Sequence, residues 1–166
     1  MLIDTHAHLY LKQFEEDRAA MLQRAQEHGI EKIFLPNIDS SSIADLLALE
    51  AAESERCFAM MGLHPCSVKE NVEEELAMVK QWLDERPFCA VGEIGLDKYW
   101  DTTFLEQQKE AFRTQIRWAK ELDLPIVIHS RDSTPDVLEI LQDEKDDKLR
   151  GIFHCFTGSV AEAEEI

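Results

Sequence analysis

The chain has 166 residues, 45% of them apolar and 31% charged, which are the proportions of a soluble globular protein able to bury one substantial core. Against 17 Lys and Arg stand 34 Asp and Glu, and the net charge of −17 opposes phosphate-backbone binding through bulk electrostatics. A polyanionic substrate would need positive charge supplied locally, and bound divalent ions are an economical source.

The first stretch, Leu2-Ile3-Asp4-Thr5-His6-Ala7-His8, is a short apolar run ending in two histidines one residue apart. Side chains alternate along a strand, so His6 and His8 are expected on one face, where both rings can reach one ion. The same pattern also occurs on solvated strands with nothing bound, so further ligands must decide. Phe14, Met21, Leu22 and Ala25 then keep helical spacing, and His28-Gly29 closes that helix, which makes His28 a helix-end residue rather than a ligand. Ile30 to Leu35 is a second strand, followed by a helix marked by Ile43, Leu46, Leu47 and Ala51. A third strand is expected from about Cys57 to Leu63, and Val72, Leu76, Val79 and Leu83 form the stripe of the next helix. Phe88 to Glu93 is the fourth strand, and the longest helix follows with Leu105, Phe112, Ile116 and Ala119 facing inward. Pro125 to His129 is the fifth strand. Thr134, Pro135 and Asp136 supply an N-cap, an N1 proline and an acidic first turn for the helix after it. Gly151 to Cys155 is the sixth strand, and a sixth helix begins beyond it.

Strands and helices that alternate at these lengths imply an α/β fold with a parallel sheet and right-handed crossovers. No Gly-x-Gly-x-x-Gly follows the first strand, so a dinucleotide-binding arrangement has no support. No linker or repeat divides the chain, and residues 1–166 are expected to form one domain. No apolar run approaches membrane-spanning length, and the N-terminus lacks a basic region followed by an apolar stretch and cleavage site; the cytoplasm is the expected location. Cys57, Cys66, Cys89 and Cys155 show no Cys-x-x-Cys spacing and are expected as buried thiols, with Cys66 and Cys155 notable for following candidate site residues.

The placement of the ionisable residues carries the functional signal. His6 and His8 end strand one, His64 lies just past strand three, Glu93 ends strand four, His129 ends strand five and His154 lies at the end of strand six. In an α/β barrel the carboxyl ends of the strands form the active-site rim, where residues distant in sequence converge. Each residue alone has a bland explanation: His129 could cap its strand, and Glu93 could pair with a lysine. Together they are poorly explained by chance.

Five segments carry a resemblance to a known family: Ile-Asp-Thr-His-Ala-His-Leu from Ile3, Gly62-Leu63-His64-Pro65, Val91-Gly92-Glu93-Ile94-Gly95-Leu96-Asp97, Pro125 through Arg131, and His154-Cys155-Phe156-Thr157-Gly158. In this order they resemble the successive signatures of the TatD family of metal-dependent deoxyribonucleases. The resemblance implies a (β/α)8 TIM-type barrel with two divalent ions, of which this chain supplies about the first six βα units. It carries over His6, His8 and a bridging Glu93 to one ion, and Glu93, His129 and His154 to the other. His64 matches a pocket residue expected to contact substrate, and Arg131, directly after the strand-five ligand region, is a further candidate for a phosphate contact. The family's remaining ligand is an aspartate at the end of strand eight. Neither Asp97 nor Asp132 matches it, and the chain is expected to be truncated before strands seven and eight.

A mixed histidine and carboxylate site suits zinc, manganese or iron by affinity, while magnesium prefers more oxygen, so ligand type alone leaves the metal open, with magnesium, manganese or zinc expected. Only a carboxylate can bridge, because a neutral imidazole has one free lone pair. The expected activity is hydrolysis of DNA phosphodiester bonds by a water activated between two ions, with catalysis centred on Glu93 and His64 and with single-stranded ends as substrate. The alternatives are a related barrel hydrolase of a lactone, amide or phosphotriester, and a metal-binding fragment with weak turnover.

Overall fold

The computed structural model describes residues 2–166. Among them, six strands alternate with six α-helices: β1 (Leu2–Asp4), α1 (Arg18–Glu27), β2 (Ile30–Leu35), α2 (Ile43–Ala52), β3 (Cys57–Ala59), α3 (Val72–Glu85), β4 (Val91–Asp97), α4 (Leu105–Glu121), β5 (Ile126–Arg131), α5 (Thr134–Glu144), β6 (Gly151–Phe153) and α6 (Val160–Glu165). All pairings are parallel, in the orders β1-β2-β3 and β4-β5-β6, and a single bridge between Met61 and Val91 joins the two sheets. Each strand lies beside the next in sequence, which is the arrangement of the first six βα units of a TIM-type barrel split into two three-stranded halves.

The centre of the fold is β4, buried at every position from Val91 to Asp97. Helix α4 covers it with Phe112, Ile116 and Ala119, at most 1% exposed, and burial of each large apolar side chain contributes about 1.5–3 kcal/mol. Two glutamines on the same helix are also buried, and they bond the backbone where strand ladders stop. Gln115 Oε1 accepts from the Leu63 N–H at 2.7 Å and Gln108 Oε1 from the Asp97 N–H at 2.9 Å. They satisfy main-chain donors that the sheet no longer pairs, and so fix the segments entering and leaving the site.

The strand boundaries differ from the sequence expectation at the rim. β1 stops at Asp4, so His6 and His8 lie beyond the strand, and their alternation along it is not what brings them together. β3 ends at Ala59 rather than Leu63, and β6 at Phe153, one residue before His154. β4 begins later than expected and continues through Ile94 and Leu96, placing Glu93 inside the strand. The ladder runs from Val91 opposite Ile126 to Ile94 opposite Ile128, three residues against two, so Glu93 sits in a bulge; such irregularities re-aim a side chain. α1 starts at Arg18, with Phe14 in a separate 3-10 turn over Lys12–Phe14, and the N-cap position of α5 is Ser133 rather than Thr134, with the Ser133 hydroxyl donating to the Leu96 carbonyl instead of capping the helix. Gly29 has φ 79 at the end of α1, in the left-handed conformation expected after His28.

Candidate metal centre

The segments after the strands are tied to neighbouring strands, or to the loop just past one, by main-chain hydrogen bonds, which aim their side chains over the strand ends. Ala7 N–H donates to the Phe34 carbonyl at 3.0 Å, His64 N–H to Ile38 at 2.8 Å and His154 N–H to Ile128 at 2.9 Å. The result is a cavity of about 540 Å³ whose lining includes His6, His8, His64, Glu93, His129 and His154. Arg131 and Asp132 complete its charged wall.

Glu93, 3% exposed, is the hub. Its Oε2 has His6 Nε2 at 3.1 Å, His8 Nε2 at 3.6 Å and His64 Nε2 at 3.7 Å, while Oε1 faces His129 Nδ1 at 3.1 Å. Burial by itself would raise the pKa of this carboxyl, but the histidines around it, His129 and His6 foremost, outweigh it and hold the group well below the usual carboxylate range.

The hydrogen bonds behind the histidines fix what each one offers. Tyr10, 2% exposed, donates its hydroxyl to the Pro36 carbonyl at 2.6 Å. Its oxygen is therefore the acceptor for His8 Nδ1–H at 2.9 Å, and His8 presents a lone pair at Nε2 toward the Glu93 anion. Two electron-rich atoms that face one another call for a cation between them. The buried Nδ1 of His6 has no hydrogen-bond partner, which marks the ring as a further polar group of the site left unsatisfied by the protein alone. His64 has the opposite polarity: Nδ1 accepts from the Cys66 N–H at 3.1 Å, leaving Nε2 as the donor. Burial lowers its pKa to about 4, so it is neutral near pH 7. His129 lies between two carboxylates, with Nε2 2.9 Å from Asp97 Oδ2, and although burial lowers its pKa these hydrogen bonds raise it overall.

Two groups of donor atoms lie within 4.8 Å of one another, His6 with His8 and Glu93, and His64 with Cys66 and His129. Both are able to coordinate a divalent ion, and the nitrogen-rich donor set with a buried anionic carboxylate fits one. The first group is the one expected from sequence. The second differs from the expected Glu93, His129 and His154: His154 instead stacks on His6, with ring centroids 3.5 Å apart. Arg131 lies at the cavity edge without pairing to Asp132, its guanidinium 4.1 Å from the Tyr99 ring centroid.

Sequence reasoning missed Tyr10, which orients His8, and Asp97, which bonds His129 and is itself 1% exposed. Tyr10 has no sequence signal beyond its position two residues after His8. Asp97, set aside because it matches no ligand position, stands two residues past the buried Gly95 that pairs with His129. All four cysteines are free, but only Cys57 is fully buried; Cys66 and Cys89 are half-buried and Cys155 is exposed, because β6 ends before it.

A sequence model of the TatD-related DNase family matches residues 3–166, and the chain belongs to that family. It is 41% identical over 165 residues to the metal-dependent hydrolase YabD of Bacillus subtilis, covering 99% of this chain and 64% of YabD. It is 30% identical over 163 residues to the 3'-5' ssDNA/RNA exonuclease TatD of Erwinia amylovora, covering 98% of this chain and 63% of that protein. The crystal structure of YjjV, a TatD homologue from Escherichia coli K12, superposes with a TM-score of 0.90 at 35% identity, over 99% of this chain and 63% of the other. The chain thus spans less than two thirds of the length of these relatives. No helix among the described residues is long and apolar enough to cross a membrane.

Proposed function

We propose that this chain carries the metal centre of a hydrolase that cleaves phosphodiester bonds of DNA, acting on single-stranded ends. The observation that carries the reading is the set of histidine nitrogens around Glu93, with the His8 lone pair fixed toward the carboxylate by Tyr10. His6, His8 and Glu93 would hold one divalent ion, and Glu93, His129 and His154 are the residues that would be available to a second. Manganese and zinc suit these nitrogen donors better than magnesium. Bound ions supply Lewis acidity, which lowers the pKa of a water and stabilises the leaving oxygen.

The protein's own groups account for binding and orientation. Glu93 stays anionic in a buried position and holds the two halves of the ligand set together. His64, neutral and with its Nε2–H toward the cavity, donates a hydrogen bond to a phosphoryl oxygen. Arg131 offers paired donors to non-bridging phosphate oxygens and no lone pair to a cation. In a chain of net charge −17, this local set of donors overcomes the general repulsion of a polyanion. The preference for single strands follows the name of the Erwinia relative, which also covers RNA.

The test is turnover of an end-labelled single-stranded oligodeoxynucleotide by the purified chain with manganese, magnesium or zinc. Cleavage is expected, with its loss on chelation and in Glu93→Gln. Absence of turnover with each metal, from protein that has taken the metal up, would contradict the proposal.

A further inference from the structure

Outside the metal centre, an exposed aromatic pair lies against Arg131, a residue of the cavity wall. Tyr99 and Trp100 lie two and three residues past the end of β4 and are 53% and 68% exposed, with ring centroids 4.8 Å apart in a T-shaped arrangement. Their turn is pinned along its length. The Asp97 carboxylate accepts from the backbone N–H groups of Tyr99 at 3.0 Å and Trp100 at 2.9 Å, Lys98 N–H donates to the Arg131 carbonyl at 3.0 Å, and Asp101 accepts from Lys69 Nζ at 2.8 Å. The rings are thus held in water by an ordered turn.

Arg131 joins them. Its guanidinium carbon lies 4.1 Å from the Tyr99 centroid and 5.7 Å from that of Trp100, and among the described residues no carboxylate pairs with it. Lys98 and Lys69, by contrast, are neutralised by Asp136 and Asp101. Arg131 lies two residues beyond His129 on β5, on the same strand face and ~7 Å farther along it. Asp97 ties the two places together, since the carboxylate that holds the aromatic turn also holds His129 Nε2 at 2.9 Å.

We propose that Tyr99, Trp100 and Arg131 form a stacking platform for an unpaired nucleobase, placing the adjacent phosphodiester at the metal centre; this deepens the phosphodiesterase reading and rests on it. A base inside a duplex has both faces covered, so an exposed aromatic platform selects unpaired or terminal bases. The acidity of the chain favours this mode, because single-strand binding through a continuous Lys and Arg groove is unavailable to it, whereas stacking needs only one cation beside the rings. Every base has a π-face, so the platform tolerates any sequence. Asp97 acts as a positioning residue for both the platform and His129.

The experiment measures binding by fluorescence anisotropy with manganese present, using a cleavage-resistant phosphorothioate oligothymidylate and the same strand with abasic terminal nucleotides. The wild type is expected to bind the base-bearing strand about 5- to 100-fold more tightly than the abasic one. In Tyr99→Ala/Trp100→Ala that ratio should fall close to unity, and Trp100→Phe should keep most of it. A ratio near unity in the wild type, or an undiminished ratio in the double variant, overturns the platform. Failure of the phosphodiesterase reading shows separately, as an intact ratio together with no cleavage of an unmodified strand.

Discussion

Gly95→Ala should damage the metal centre through the backbone alone. Gly95 has φ 142, a conformation that side-chain-bearing residues rarely adopt, and a Cβ placed on it would lie 2.0 Å from the His129 carbonyl oxygen and 3.0 Å from its carbon. Nothing in that contact is a flexible side-chain end, so β4 and β5 must separate where Gly95 pairs with His129. Backbone strain of about 1–3 kcal/mol adds to overpacking of about 1–3 kcal/mol. For a chain of this size the sum corresponds to a fall in Tm of roughly 5–20 °C. Gly29→Ala is the matched control: its φ of 79 carries the conformational cost, but nothing lies within 4 Å of the added Cβ. It should cost about 1–2 kcal/mol. Thermal unfolding by circular dichroism, read beside manganese uptake, separates the two. Gly95→Ala is expected to melt well below Gly29→Ala and to lose metal, because His129 moves. Equal melting temperatures would refute the reasoning.

Four further outcomes follow from particular contacts. Tyr10→Phe frees the His8 ring to take either tautomer and should weaken manganese binding about 10- to 100-fold in a calorimetric titration, an effect that unchanged affinity would contradict. At pH 7.5 a thiol reagent should modify exposed Cys155 quickly, while Cys57 and Cys89, pushed up to about 11 by burial, and Cys66, pushed up to about 12, react fully only on unfolding. Because the unfolded thiols ionise first, near their ordinary value of 9.0, those residues should also make stability fall as pH climbs from about 9 toward 11; a flat profile in a variant retaining all three would contradict this. Arg131→Ala should raise KM for an oligonucleotide about 10-fold or more with metal uptake unchanged, and unchanged KM with lowered Tm would make Arg131 purely structural.

The alternation of strands and helices was legible because each strand is a short apolar run and each helix carries a clear stripe, as Phe112, Ile116 and Ala119 do on α4. The residues around the cavity were legible for a related reason: histidines and a carboxylate recur just past those runs, and parallel topology brings such places to one rim. The strand ends were less so. Gly92 and Gly95 make the fourth strand look finished at Glu93, whereas a bulge lets it continue through the buried Ile94 and Leu96 to Asp97. The orientation of the rings has no local sequence signal. That His154 rests on His6, and that His64 and Cys66 approach His129, depends on how separate chain segments converge, as in the hydrogen bond from the His154 N–H to the Ile128 carbonyl. Tyr10 and Gln115 act across 26 and 52 residues of chain, and no local pattern records such contacts.

The central claim is that Glu93, with His6 and His8, forms a divalent metal centre, and the most direct measurement is calorimetric titration of manganese into metal-stripped wild-type protein and Glu93→Gln. The wild type should take up manganese. Glu93→Gln should retain its circular dichroism spectrum yet bind at least about 100-fold more weakly, since changes to groups behind a ligand already cost about 10- to 100-fold. Manganese binding of equal strength in the two proteins, or no uptake by the wild type, would contradict the account.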